Sequence, residues 1–336
     1  MPSGVSVSSA IMNRRRAVLT SLAAAAVAAA MRAHAQPRRL RVAWVFFSSP
    51  TSGDVFLEAL RQGFRELGYR EPATLVLETY WAGESDELLS SNVTKAIASN
   101  PDVIVVQGVA MNAVFKANPT IPVVFGFSGD PVEAGFVQSL ARPGGNMTGI
   151  TFLTLELVGK RMEMMKEAMP GLQRVAILAA PQHPGDKAER RASEAAASAL
   201  GMSTVYFEAR GPAELDTAMA AMEKSGCDAV MMFPVQYVIT HRERIAAWAI
   251  RNRIPTVSGW AQFAEGGNLM SYGPNLRDCM TRLAYFADRI VKGTKPAVIP
   301  VELPTRVEFV LNQKAAKALG ITIPRAVELR ADRVLT

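Results

Sequence analysis

The chain has 336 residues, with 37 Lys and Arg against 30 Asp and Glu, a formal net charge of +7, 49% hydrophobic residues and 20% charged ones. That length holds two domains of ordinary size, each with its own core, and the apolar share excludes a disordered chain. A pI near 9.6 and a mean hydropathy of +0.12 leave a membrane protein and a nucleic-acid binder to be decided by where the residues lie.

Both excesses concentrate at the start. Arg14, Arg15 and Arg16 precede an apolar run from Ala17 to Met31, and Ala33-His34-Ala35 follows as a small-x-small triplet. A basic segment, a short apolar run and an A-x-A site read as a secretory signal peptide over residues 1–35, cleaved near Ala35. The run is short for a bilayer span, which needs about 20 residues, so an uncleaved anchor is the lesser alternative. Four of the arginines and none of the acids fall in this segment, so the remainder carries 33 basic against 30 acidic residues. No basic run of five, zinc-finger spacing or RNA-binding signature survives. The chain is expected to reside in the periplasm and to bind no nucleic acid.

From Leu40 the sequence alternates strand and helix. Leu40–Phe47 reads as a strand, about 54–67 as a helix, 74–80 as a strand, 86–99 as a helix and 102–106 as a buried strand; a short helix at 112–117 precedes a strand at 122–125. Gly126 to Thr151 is a Gly/Pro-rich passage in which the pattern lapses. It restarts with a helix at 155–169, a strand at 174–179, a helix at 186–200, a strand at 204–208, a helix at 212–224, a strand at 229–233, one helix over 235–252 and a strand at 255–258. Apolar β-rich runs separated by amphipathic helices predict βαβ units with helices on both faces of a parallel sheet. The repeated order predicts an α/β protein of two Rossmann-like lobes. A helix at 275–292, an extended proline-spaced strip at 299–304, a strand at 306–311 and a helix at 313–319 follow, the strip suiting a chain that runs between lobes. The expected division is residues 36–150 with 273–303 as the first lobe, and 151–272 with 304–336 as the second. Cys227 and Cys279 then fall in different lobes, which disfavours a bridge between them.

The catalytic inventory is thin. His183 and His241 lack metal-ligand spacing, so neither a metal nor a cofactor is expected. No G-x-S-x-G elbow or G-x-G-x-x-G fingerprint occurs, and Gly144 to Gly149 has phosphate-loop spacing without the lysine that would reach a phosphate, so it reads as a turn. Binding groups are better represented. Ligands of open α/β sheets gather at loops leaving the carboxyl ends of the strands. Those loops carry Ser48, Ser49 and Thr51, then Gln107, Gly108 and Asn112, then Ser128 and Asp130; the second half offers Phe233, Gln236, Trp260 and Tyr272. Hydroxyls, amides, one carboxylate and aromatic faces suit a small polar or zwitterionic molecule. For each polar member the alternative is ordinary helix capping or, for Asp130 before Pro131, a turn. Trp260 could instead plug the interface between the lobes.

Longer passages carry a resemblance. Ile121–Phe125 with Gly129–Gly149, Gly266–Pro274, Lys292–Pro296 with Ile299–Val301, and Ala318–Pro324 with Arg330–Asp332 resemble the tryptophan/tyrosine-type substrate-binding proteins of ATP-binding-cassette transporters. The resemblance implies a type I periplasmic binding fold, with lobes joined by a three-segment hinge and ligand held between them. It also implies contacts at Ser48, Ser49, Thr51, Gln107–Asn112, Ser128, Asp130, Phe233, Gln236 and Trp260, and a membrane permease as partner. The expected receptor is a monomer that takes an amino acid or an aromatic or carboxylate compound. A sensor serving a membrane signalling partner is the alternative, and an exported enzyme using Asp130 or Glu265 a more distant one. A repressor is disfavoured, because the export signal stands where a DNA-binding helix-turn-helix would.

Overall fold

The computed structural model describes residues 39–336 apart from 153 and 182–184. The segment read as a signal peptide lies outside the described residues, as does His183.

The first lobe is built on β1 (Leu40–Phe46), α1 (Pro50–Glu66), β2 (Leu75–Trp81), α2 (Asp86–Ala98), β3 (Val103–Gln107), α3 (Ala110–Ala117), β4 (Val123–Phe127) and β5 (Met147–Thr151). Its five strands are all parallel, in the order β2-β1-β3-β4-β5. Alternation along β1 explains the two-sided burial: Val42, Trp44 and Phe46 enter one apolar cluster, Ala43, Val45 and Phe47 another on the opposite face. Ser85 starts α2 by accepting from the Leu88 amide at 3.2 Å, a local reason for the chain to turn there.

β5 sits inside the passage expected to be irregular. Gly149 lies opposite Phe125 at φ +158°, and a Cβ there would stand 2.0 Å from the Phe125 carbonyl oxygen. The glycine admits close strand pairing, so the phosphate-loop spacing has a structural cause.

The second lobe comprises α4 (Thr154–Ala168), β6 (Arg174–Ala179), α5 (Asp186–Ala199), β7 (Ser203–Glu208), α6 (Pro212–Lys224), β8 (Ala229–Met232), α7 (Gln236–Thr240), α8 (Arg242–Asn252), β9 (Thr256–Ser258), α9 (Ala261–Glu265) and β10 (Met270–Pro274), to which the tail adds β11 (Val307–Asn312), α11 (Gln313–Leu319), α12 (Arg325–Glu328) and β12 (Arg333–Leu335). Its seven strands run β12-β11-β10-β9-β8-β6-β7, parallel except between β10 and β11. The helix expected over 235–252 is two, divided at His241.

Between β10 and β11 the chain revisits the first lobe. Helix α10 (Leu276–Val291) packs along α1 and across β3, β4 and β5, and the following strip pairs with β5 through Thr151 N–H to Glu302 C=O at 3.0 Å and Glu302 N–H to Gly149 C=O at 2.9 Å. Arg282 from α10 grips the Glu302 carboxylate in two hydrogen bonds of 2.7 and 2.8 Å and stacks 3.5 Å over the Tyr285 ring. The chain therefore passes between the sheets three times, side by side. Cys227 and Cys279 are free and buried, one before β8 and one in α10; burial pushes the Cys279 thiol up to about 12.

Candidate functional site

The carboxyl edges of the two sheets face each other. On the first lobe Ser48 follows β1, Gln107 ends β3 and Ser128 follows β4, all buried. The sequence predicts these three, and the fold brings them to one edge. Ser49 stands at the start of α1 but its side chain makes no capping bond, so capping does not account for it. Gly108 turns the chain out of β3 at φ +59°. Asn112 is exposed in the first turn of α3, the helix that follows β3. Asp130 also braces its own turn: its Oδ1 accepts from Val132 N–H at 2.7 Å and Glu133 N–H at 3.3 Å. Thr51 and Gln236 fall in α1 and α7, and their side chains are outside the described set.

On the second lobe Phe233 and Trp260 follow β8 and β9 and are buried. Trp260 meets Phe152, from the first passage between lobes, edge to face at 6.0 Å, while Phe233 meets Tyr206 at 6.4 Å. Tyr272, in β10, contributes its carbonyl: the Arg161 Nε donates to it at 2.8 Å.

Arg161 and Glu189 are what the sequence reading missed. Arg161, from α4, and Glu189, from the first turn of α5, are 1% and 0% exposed. Neither Arg161 Nη2 nor either Glu189 carboxylate oxygen has a hydrogen-bond partner. Burial lowers the Arg161 guanidinium to about 10, so it stays charged at neutral pH. Burial also raises Glu189 to about 8, against the opposing pull of Arg161. Asp186 beside them accepts from the Tyr206 hydroxyl, and burial raises its pKa. The signal was present: Val158, Arg161, Met162 and Met165 share one helical stripe, and Asp186, Glu189, Ser193 and Ala197 another.

The lobes touch across the cleft. A Cβ on Gly129 would lie 2.9 Å from the Gly185 Cα, Arg191 Nη2 meets Glu133 Oε1 at 2.7 Å, and His241 Nε2 stands 3.8 Å from Glu84 Oε2. Glu265 pairs with Arg333 at 2.8 Å. Among the described residues no group of three His, Cys, Asp or Glu could hold a metal ion. No helix among them is long and apolar enough to cross a membrane.

Two α/β lobes joined by three passages, with polar groups on facing sheet edges, define a type I periplasmic binding fold. The chain belongs to the ABC transporter substrate binding protein family, whose model matches residues 42–335. This is a class of transporter receptors, not of enzymes. A tyrosine-binding protein of Clostridioides difficile strain R20291 is 22% identical over 285 residues, covering 83% of this chain and 80% of that protein. The crystal structure of a conserved domain protein from Vibrio cholerae is 25% identical with a TM-score of 0.82, covering 88% of this chain and 99% of that one. An ABC domain from Streptococcus pneumonia in complex with L-Trp is 22% identical, also with a TM-score of 0.82, covering 88% and 100%.

Proposed function

We propose that this chain is an exported receptor that captures an amino acid, or an aromatic or carboxylate compound, between its lobes and delivers it to an ATP-binding-cassette permease. The lobes correspond to residues 36–150 with 273–303 and to 151–272 with 304–336, and they close about the three side-by-side passages. The observation that carries the reading is a concentration of buried polar atoms without partners along the facing edges. Ser48 Oγ and Gln107 Oε1 lie on one side, Arg161 Nη2, the Glu189 carboxyl and Trp260 Nε1 on the other. Buried polar groups are nearly always hydrogen-bonded in folded proteins, and leaving one unsatisfied costs about 1–3 kcal/mol. A ligand touching both edges satisfies these groups only when the lobes are together, so binding shifts the population toward the closed form. The residue 1–35 segment supports delivery to the periplasm, and the tyrosine- and tryptophan-binding relatives support an amino acid.

Calorimetry against the twenty amino acids and a set of aromatic and aliphatic carboxylates, paired with small-angle scattering, tests this. The expected result is one-to-one binding with a smaller radius of gyration on saturation. Binding without compaction, or turnover of the bound compound, refutes it.

A further inference from the structure

The second lobe buries a guanidinium with a donor that its own fold leaves unused. Arg161 reaches from α4 to the carboxyl ends of β8 and β9, the edge where open α/β sheets receive ligands. Its Nη2 rests against Gly259, in the loop leaving β9: a Cβ there would stand 2.8 Å from Nη2, 3.1 Å from Cζ and 3.2 Å from the ring of Pro234, in the loop leaving β8. The absence of a side chain at 259 therefore makes the slot in which the guanidinium lies. One nitrogen, Nε, is held by the Tyr272 carbonyl, which fixes the plane of the group, while Nη2 donates to nothing.

Glu189 is the acid whose charge acts on it, yet no hydrogen bond joins the two. Burial raises the Glu189 pKa against the pull of Arg161, and no bond from this carboxyl takes up Nη2. A buried, unpaired cation is among the most costly arrangements a protein can hold. It is relieved when an anion with a planar pair of oxygens takes the vacant donor.

We propose that Arg161 is the anion-binding residue of the cleft, its Nη2 donating to a carboxylate oxygen of the ligand. The proposal rests on the capture reading above and narrows its ligand class to small carboxylates, amino acids among them, against uncharged sugars. Opening of the lobes gives the ligand its path to this edge, and closure seals the pair from water, where a charge-assisted hydrogen bond is strongest.

The test titrates the purified protein by calorimetry with L-tyrosine, L-tryptophan and 3-phenylpropionate, each beside its primary amide, and with D-glucose as an uncharged compound. The expected result is that at least one carboxylate binds about 100-fold more tightly than its amide, the scale of a lost charged contact in a buried site. R161Q removes that difference by weakening the acid alone, and R161K restores part of it. Should R161Q fail to fold by circular dichroism, the acid-to-amide ratio on the unaltered protein decides by itself. Equal binding of acid and amide overturns the proposal while leaving capture intact, as does glucose binding that R161Q does not change. If none of these compounds binds or compacts the protein, the capture of an aromatic or carboxylate compound falls and this inference with it.

Discussion

The two faces of the cleft solve one problem with different materials. The first lobe presents short uncharged groups on loops at its strand ends: Ser48, Gln107 and Ser128 are buried hydroxyls and an amide. The second lobe presents charge that comes from helix interiors, Arg161 on α4 and Glu189 on α5, driven under the strand-end loops. A hydroxyl left without a partner costs less than a buried charge and tolerates many ligands. A buried charge costs much and tolerates few. The neutral face can therefore form general hydrogen bonds, whereas discrimination by charge falls to the second lobe.

That contrast breaks if the two faces respond alike to truncation, and here the largest effect is expected. Arg161→Ala removes the bond to the Tyr272 carbonyl and the packing of a wholly buried side chain. The expected loss is about 3 kcal/mol, the emptied volume and the lost bond outweighing the relief of a buried charge. Ser48→Ala deletes a buried oxygen that has no partner and should leave the free protein more stable, by about 1 kcal/mol. Urea melts of both variants decide the matter; a Ser48 loss equal to that of Arg161 removes the distinction.

An effect of comparable size is expected from pH. Folding raises the Glu189 pKa from an ordinary 4.5 to about 8, so between those values the native state holds a proton that the unfolded chain has released. Stability from this group is therefore fully present below about pH 4.5 and is lost as pH rises toward 8. The amount is on the order of a few kcal/mol. Glu189→Gln, uncharged and of the same shape, should flatten the decline between pH 5 and 8.5 in urea melts. A decline that persists in the variant assigns it to other groups.

The two faces also differ in how readily the sequence discloses them. Strand-end loops follow directly from the alternation of apolar runs and helices, so Ser48, Gln107 and Ser128 could be placed before any coordinates. The turn-forming bonds of Asp130 could not be told from a ligand contact, because a carboxylate before proline serves either. Arg161 and Glu189 were passed over because charged residues in amphipathic helices ordinarily mark the solvated face. β5 and β10 escaped for a related reason. Met147–Thr151 and Met270–Pro274 each contain a glycine that reads as a turn. At Gly149 that glycine answers to the backbone of the neighbouring strand, a tertiary constraint with no local trace. The tail strand β12 is three residues long, too short for any period to register.

The smallest effects are expected where the faces touch directly, and they sharpen the comparison by separating buried from exposed contact. Glu84, held in a left-handed turn at φ +67°, meets His241 with side chains 15% and 22% exposed, whereas Glu133 and Arg191 are 53% and 63% exposed. Burial raises the Glu84 pKa while His241 opposes the rise, so the carboxylate leans on the second lobe for its charge. Glu84→Gln should weaken ligand affinity about three- to five-fold, by removing up to about 1 kcal/mol from the closed form alone. Arg191→Ala should weaken it less than about two-fold, and 0.5 M salt should erase that difference, since exposed pairs are screened within a few ångströms at such ionic strength. Calorimetry at two salt concentrations reads both. Equal, salt-sensitive losses would mean that closure is steered by surface charge and not by the half-buried contact beside the binding loop.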